Sequence, residues 1–317
     1  MNSSAIAGVL LACSLSSFAQ VPIQCSTSWN GTIAAGKQQQ INSTTVRLIN
    51  ATDANQGVAV DTDHVYSVDN FSITKRNKKT GEALVQWYGG KNGPIIHLDG
   101  GVVINGTLYA PHSDYPQTPI TSSVEMWDVE TMQHIGSHSF GIYRGSMTWL
   151  DQHNGKWYGT FANYDRIQTG QTQPYGLTMN TQFVEMTADF QITRSWIFPQ
   201  ELWSTNFSPM SNSGGSFGPD GWLYVTGHDA SNAFVLKIPD AGSVLIWVAT
   251  INLPDIAGQG IAWDRTVPKN QTSLWGISRE SRQLVEMKVP LQQCGWDQKL
   301  VVGNVLGPGS FVDTSKS

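Results

Sequence analysis

The chain is short of charge, of cysteine and of helical periodicity. Only 14% of its 317 residues are Asp, Glu, Lys or Arg, and the formal net charge is −5. That balance does not favour nucleic acid or an anionic membrane surface as a partner. The one dense basic run, Lys75-Arg76-Asn77-Lys78-Lys79, stands before Thr80-Gly81 and reads as a solvated turn. No segment of useful length carries apolar residues at the helical period, which argues against a doubly wound α/β fold. After the first residues, no run is long and apolar enough for a transmembrane helix. GxSxG, HExxH and a Gly-rich phosphate loop opening a helix are all missing, so the signatures of α/β-hydrolases, zinc peptidases and P-loop enzymes are absent.

Three cysteines are present, at 13, 25 and 294. Residues 1–19 read as a secretory signal: Ile6 to Leu15 is apolar and too short to span a bilayer, and Ser17-Phe18-Ala19 offers a small-x-small cleavage site. Leu10-Leu11-Ala12-Cys13 also resembles a lipoprotein box. The remainder carries sequons at Asn30, Asn42, Asn50, Asn70, Asn105, Asn206 and Asn270, a density that favours a glycosylated secretory protein of a eukaryote and an extracellular location. Loss of the signal leaves Cys25 and Cys294, which suggests one disulfide joining the two ends of the mature chain. The expected layout is an N-terminal segment over 20–42, a single domain over 43–294 and a C-terminal tail over 295–317.

What is abundant is Gly, Trp and short alternating strands. Five segments open on an apolar, Gly-rich strand: Gln56 to Asp61, Gly100 to Ile104, Gly145 to Trp149, Gly214 to Phe217 and Gln259 to Asp264. Each is followed by a second strand with an aromatic at a matching place: Tyr66, Tyr109, Tyr158, Tyr224 and Trp275. A polar loop and an alternating third strand come next, as in Val124-Glu125-Met126-Trp127, Phe183-Val184-Glu185-Met186 and Leu284-Val285-Glu286-Met287. Four units end on a fourth strand, at 84–87, 134–139, 192–198 and 244–251. Units of four short strands at this period predict an all-β fold, a β-propeller of five blades. Six blades are the alternative, should 165–213 hide a degenerate one. The fifth unit lacks a fourth strand, while Thr45-Val46-Arg47-Leu48-Ile49 is spare at the N-terminus. Moving that strand into the last blade closes the ring and leaves no open edge. It also places Cys25 and Cys294 on either side of the seam.

In a propeller, the loops between second and third strands and the segments leading into each inner strand share one face. The loops here read Asp69-Asn70, His112-Ser113-Asp114-Tyr115, Asn163-Tyr164-Asp165, His228-Asp229 and Arg279-Glu280; the leading segments carry Gln56, His97-Leu98-Asp99, Arg144, Ser211-Asn212-Ser213 and Gln259. Polar loop residues on a rigid scaffold are where function concentrates, although Asp and Asn also serve simply to make turns. Three readings of this mouth follow. In the first, His112 or His228 moves a proton, oriented by Asp114 or Asp229, while Arg279 holds an oxyanion, and His97, Gln56, Gln259, Asn163, Tyr115 and Glu280 bind a small-molecule substrate. No cofactor is needed for this chemistry. In the second, His97, His112 and His228 hold a divalent metal. In the third, the mouth only binds a sugar or small molecule, with Trp149, Trp263 and Tyr115 as stacking surfaces. Mouth carboxylates (Asp69, Asp114, Asp165, Asp229, Glu280) also suit a glycosidase pair. The long segments 165–181 and 199–212 are expected to emerge on the same side and to shape a pocket. A monomer is expected.

The runs Gln56-Gly57-Val58-Ala59-Val60-Asp61, His112-Ser113-Asp114-Tyr115-Pro116, Gly218-Pro219-Asp220-Gly221, Gly227-His228-Asp229-Ala230 and Gly258-Gln259-Gly260-Ile261-Ala262-Trp263-Asp264 resemble those of secreted fungal and bacterial propeller proteins of the cycloisomerase-like type. The resemblance covers most of residues 45–290 and implies the propeller fold. With the first reading of the mouth it gives the leading expectation: a secreted enzyme, a lyase, isomerase or cyclase, working on a small oxygenated substrate. The alternatives are a non-catalytic binding or virulence-associated propeller and a cyclase-type protein of a fungal secondary-metabolite cluster, such as a trichothecene cluster.

Overall fold

The computed structural model describes residues 38–239, 241–268 and 271–291. The signal, both cysteines of the expected disulfide, the tail, Asn30 and Asn270 lie outside them. Five four-stranded antiparallel sheets form a five-bladed β-propeller. Blade 1 is β3 (Gly57–Val60), β4 (His64–Asp69), β5 (Ser72–Asn77) and β6 (Ala83–Tyr88). Blade 2 is β7 (Val102–Ile104), β8 (Thr107–Ser113), β9 (Ser122–Asp128) and β10 (His134–Gly141). Blade 3 is β11 (Ser146–His153), β12 (Lys156–Ala162), β13 (Gln182–Met186) and β14 (Ile192–Ile197). Blade 4 is β15 (Gly214–Phe217), β16 (Leu223–Thr226), β17 (Asn232–Lys237) and β18 (Ile246–Asn252). The region 165–213 holds β13, β14 and loops, and no sixth blade.

Blade 5 combines β19 (Ala262–Trp263), β20 (Leu274–Ser278) and β21 (Gln283–Lys288) with β2 (Thr44–Asn50). The register runs from Thr44 opposite Lys288 to Asn50 opposite Gln283, so the spare N-terminal strand closes the ring as its pattern implies. One strand goes beyond expectation. β1 (Gln39–Asn42), inside the segment read as N-terminal to the domain, pairs in parallel with β18 and gives blade 4 a fifth strand.

Each seam between neighbouring blades has its own apolar core. Tyr66, Val68 and Ile73 meet Leu108, Ala110 and Trp127 between blades 1 and 2, for example, and Trp149, Tyr158 and Phe183 meet Phe217, Leu223 and Phe234 between blades 3 and 4. The matching aromatics of the second strands all pair with inner strands, as Tyr66 with Ala59, Tyr109 with Val102 and Tyr224 with Ser216. The repeated Glu of the third strand is a buried tie rather than a mouth residue. Glu125 accepts from Ser123, Ser137 and His134, Glu185 from Lys156, Tyr158 and Thr193, and Glu286 from Arg47 and Ser273. Such hydrogen-bonded burial is what a carboxylate between strands requires.

Of the described sequons, Asn42, Asn50 and Asn105 are exposed, whereas Asn70 and Asn206 are half-buried and engaged. Asn70 accepts from Gln56 Nε2 at 2.6 Å, and Asn206 Nδ2 donates to Thr205 Oγ1 at 2.7 Å.

Candidate functional site

The inner strands approach so closely at the axis that side chains are excluded. A Cβ on Gly57 would lie 2.6 Å from Gly100 Cα, and one on Gly260 would lie 2.7 Å from Gly100 Cα and 2.9 Å from Gly57 Cα. The Gly260 N–H donates to the Gln56 carbonyl at 3.0 Å, which ties blade 5 to blade 1 across the axis. The residue just before each glycine, Gln56, Asp99 or Gln259, is thereby drawn to one point.

There a cavity of about 160 Å³ opens, lined by Gln56, His97, Asp99, Tyr115, Thr148, Tyr164, Arg166, Met210, Ser213, His228, Gln259 and Arg279. Residues spread from 56 to 279 and from all five blades thus share one mouth. Nine of them stand in segments that the repeat alignment places at the mouth: Asp99, Tyr164 and Ser213, and the named site candidates Gln56, His97, Tyr115, His228, Gln259 and Arg279. The two long segments build one wall. Asp165 accepts from the Thr178 N–H at 3.0 Å and from Ser208 Oγ at 2.7 Å, and Thr178 Oγ1 donates to the Met210 carbonyl at 2.6 Å. This lacing holds Tyr164, Arg166 and Met210 against the opening. A larger cavity, about 260 Å³, lies among the turns that follow the inner strands. Its carboxylates are already engaged: Asp61 by Tyr66 and two backbone N–H groups, and Asp151 by Arg265, Ser216 and the Phe217 N–H.

His228 Nδ1 lies 2.7 Å from Asp229 Oδ1, and His228 Nε2 lies 3.5 Å from Arg279 Nη1. A carboxylate at Nδ1 fixes the proton there and leaves Nε2 as a lone pair. Gln259 backs the imidazole: its Nε2 donates to the His228 carbonyl at 3.0 Å. Its own backbone is left-handed, at φ 67°, held by Thr226 Oγ1 donating to its carbonyl at 2.6 Å. A non-glycine residue kept in that region is a local cost that clusters at functional sites.

His97, Tyr115 and Tyr164 form a tilted aromatic series, with ring centroids 5.5 Å and then 4.6 Å apart. Burial, helped by nearby His112, Arg279 and His228, pushes His97 down to about 4, so the ring is neutral at ordinary pH. Asp99 is 3% exposed. Its Oδ2 has no hydrogen-bond partner among the described residues, and the nearest basic atom is His97 Nε2 at 3.9 Å. Burial drives this carboxyl well above the ordinary aspartate value, against the opposing pull of Arg279. A folded-state value above the unfolded one means that stability is lost as pH rises from 3.8 through the raised value. The isosteric Asp99→Asn removes that loss. Thermal melts across pH should show a variant whose advantage over wild type grows from the acid side toward neutrality; parallel curves would contradict an uncharged, unpartnered Asp99.

The structure departs from the sequence expectation at several positions. His112 does not line the cavity. Its Nε2 accepts from the Ile96 N–H at 3.2 Å and its Nδ1 meets Ser123 Oγ at 3.0 Å, so both ring nitrogens are used between strands. Asp114 is not its orienting partner: Asp114 Oδ1 accepts from the Thr121 N–H at 2.6 Å and holds the loop. With His112 engaged in this way, the three-histidine ligand set is not assembled, and among the described residues no group of three His, Cys, Asp or Glu side chains has metal-holding geometry. Asn163 donates to the Arg144 carbonyl at 3.1 Å and is a loop tie, and Glu280 is exposed outside the cavity. Trp149 and Trp263 are buried in seam cores rather than offered as stacking surfaces.

The difference between His112 and the residues that do reach the cavity is marked in the sequence. His228 and Arg279 each stand four places after the second-strand aromatic, Tyr224 and Trp275, whereas His112 stands three places after Tyr109. One place along a strand reverses the face. Asp99 precedes an inner-strand glycine as Gln56 and Gln259 do. Arg166 and Met210 belong to irregular loops, where no repeat predicts direction.

Fold and site define a five-bladed propeller with a polar, two-arginine cavity at one end of its axis. No family model matches the chain, and no curated protein matches it. Among solved structures it is similar in shape to the PQQ-bound aldose sugar dehydrogenase of Streptomyces coelicolor, with 13% identity, 78% of this chain and 98% of that chain covered, and a TM-score of 0.47. It is also similar to the hydrazine synthase of Kuenenia stuttgartiensis, with 13% identity, 72% of this chain and 63% of that chain covered, and a TM-score of 0.41. The chemistry of the site therefore has to be read from its own residues.

Proposed function

We propose that this is a secreted enzyme performing proton-transfer chemistry, as a lyase, isomerase or cyclase, on a small oxygenated substrate held in the propeller mouth. The observation that carries the reading is the Asp229–His228–Arg279 arrangement, with an imidazole fixed at 2.7 Å by a carboxylate and its other nitrogen 3.5 Å from a guanidinium. His228 Nε2 removes a proton from a carbon next to a carbonyl. The electron pair moves onto the carbonyl oxygen, where Arg279 stabilises the enolate. The proton then returns to another carbon, or a leaving group departs from the neighbouring one. Asp229 keeps the proton on Nδ1 and stabilises the imidazolium between the two steps.

Wild-type protein incubated in D₂O with a panel of small oxo and hydroxy compounds is expected to exchange an α-proton of at least one, read by ¹H NMR. His228→Gln should slow that exchange by about 10²–10⁴-fold, and Asp229→Asn by less. Exchange that His228→Gln leaves unchanged would remove the proton-transfer reading. Compounds that bind without exchange would make the protein a binding propeller.

A further inference from the structure

The charges around the cavity do not balance. Arg166 and Arg279 both line it. Among the described residues, the contact of Arg166 is Nη1 to Met210 Sδ at 3.4 Å, and that of Arg279 is the His228 imidazole. Neither guanidinium has a carboxylate partner there. The carboxyls nearest the cavity are turned to other groups or buried, and Glu280 is exposed outside it. Asp229 faces His228, Asp114 caps its own loop, and Asp165 is tied to Thr178 and Ser208. Asp99, the carboxyl that does line the cavity, is buried, pairs with neither guanidinium, and has its pKa pushed well above the ordinary aspartate value by that burial. Two planar cationic forks with no carboxylate partner among the described residues are thus presented to one small space, a geometry suited to an oxyanion. The interior end is different: the buried Asp99 carboxyl, neutral His97 and the Tyr115–Tyr164 aromatic wall. A cavity of about 160 Å³ is close to the roughly 150 Å³ that holds a benzene-sized molecule.

We propose that the mouth selects a small carboxylate, with Arg166 and Arg279 on the carboxylate group and the unpartnered Asp99 carboxyl hydrogen-bonded to a hydroxyl at the inner end of the same molecule. This rests on the reading of the mouth as a substrate site and adds the charge of the substrate and two residues that choose it. Arg166 comes from the long 165–181 segment, which gives that insertion a role in specificity.

The test is binding rather than turnover. Small hydroxy-, oxo- and aromatic carboxylates, each compared with its own primary amide and with inorganic phosphate, are titrated into the full-length protein by calorimetry or ligand-observed NMR. At least one carboxylate is expected to bind about tenfold or more tightly than its amide. Arg166→Gln and Arg279→Gln should each weaken that carboxylate by about tenfold and leave the amide where it was. Arg166 is exposed on a loop, so its variant carries the test even if Arg279→Gln misfolds. Equal binding of carboxylate and amide would overturn the proposal and leave a neutral oxygenated substrate in place. Phosphate binding as tightly as the best carboxylate would overturn it in favour of a tetrahedral anion, and a carboxylate preference that survives both arginine variants would place the anion elsewhere. Absence of binding by every probe would count against both the proposal and the site it rests on.

Discussion

A chain that begins at Ala51 is expected not to reach a cooperatively folded state. β2 does more than finish blade 5. Its Ile49 is buried in the seam with Ala54, Val58 and Val65 of blade 1, so the strand seals the last junction of the ring. Its Arg47 lies 2.9 Å from Glu286 and 5.1 Å from the centroid of Trp275. Without it, β21 becomes an open edge, and Glu286 loses its cation. The ladder, the buried aliphatic and the ion pair together approach the roughly 5–15 kcal/mol that stabilises a whole domain. The expected observation is loss of the sharp thermal transition, with aggregation. A synthetic peptide of residues 39–50 added in trans should restore a transition, because the lost strand makes the same contacts without the covalent link. A chain beginning at Thr44, which keeps β2 and loses β1 together with Cys25, should fold with a lower midpoint. A chain from Ala51 with a wild-type melt would overturn the seam as described.

Gly260→Ala should lower the melting midpoint by roughly 5–10 °C, the result of overpacking by about 3 kcal/mol in a domain of this size. The added methyl meets backbone on both sides, Gly100 Cα at 2.7 Å and Gly57 Cα at 2.9 Å, and neither can swing away as a side chain would. Gly57→Ala should behave alike, with Gly100 Cα at 2.6 Å. Gly136→Ala is the comparison, because its nearest neighbour is the flexible Met126 Cε at 3.3 Å, and its effect should be small. An axial variant no worse than Gly136→Ala would show that the inner strands are free to part. The same axial variants should also weaken ligand binding, since Gln56, Asp99 and Gln259 are each the neighbour of an axial glycine.

Much of the site was legible because the repeat is a ruler. Once the second-strand aromatics are aligned, Gln56, His97, Tyr115, His228, Gln259 and Arg279 fall at the mouth, and they do line it. The misreading of His112 shows where that ruler needs finer divisions. β8 runs on through Ser113, so His112 is still a strand residue opposite Ser123, while His228 lies beyond the end of β16. A side chain still inside a strand points between blades, whereas His228 and Arg279, past the ends of β16 and β20, are free to turn to the mouth.

The sequence by itself determined the propeller repeat with five blades as its leading count, the strand that closes them and the face on which polar residues gather. These follow from local alternation, turn chemistry and repetition, which act over a few residues and recur. Only the tertiary structure decided which of the gathered residues meet. The burial of Asp99, which raises its pKa, comes from blades remote in sequence, the left-handed Gln259 from a carbonyl held by Thr226, and the wall of Tyr164, Arg166 and Met210 from two loops laced through Asp165 and Thr178. Those interactions are long-range and unrepeated, and no local pattern encodes them.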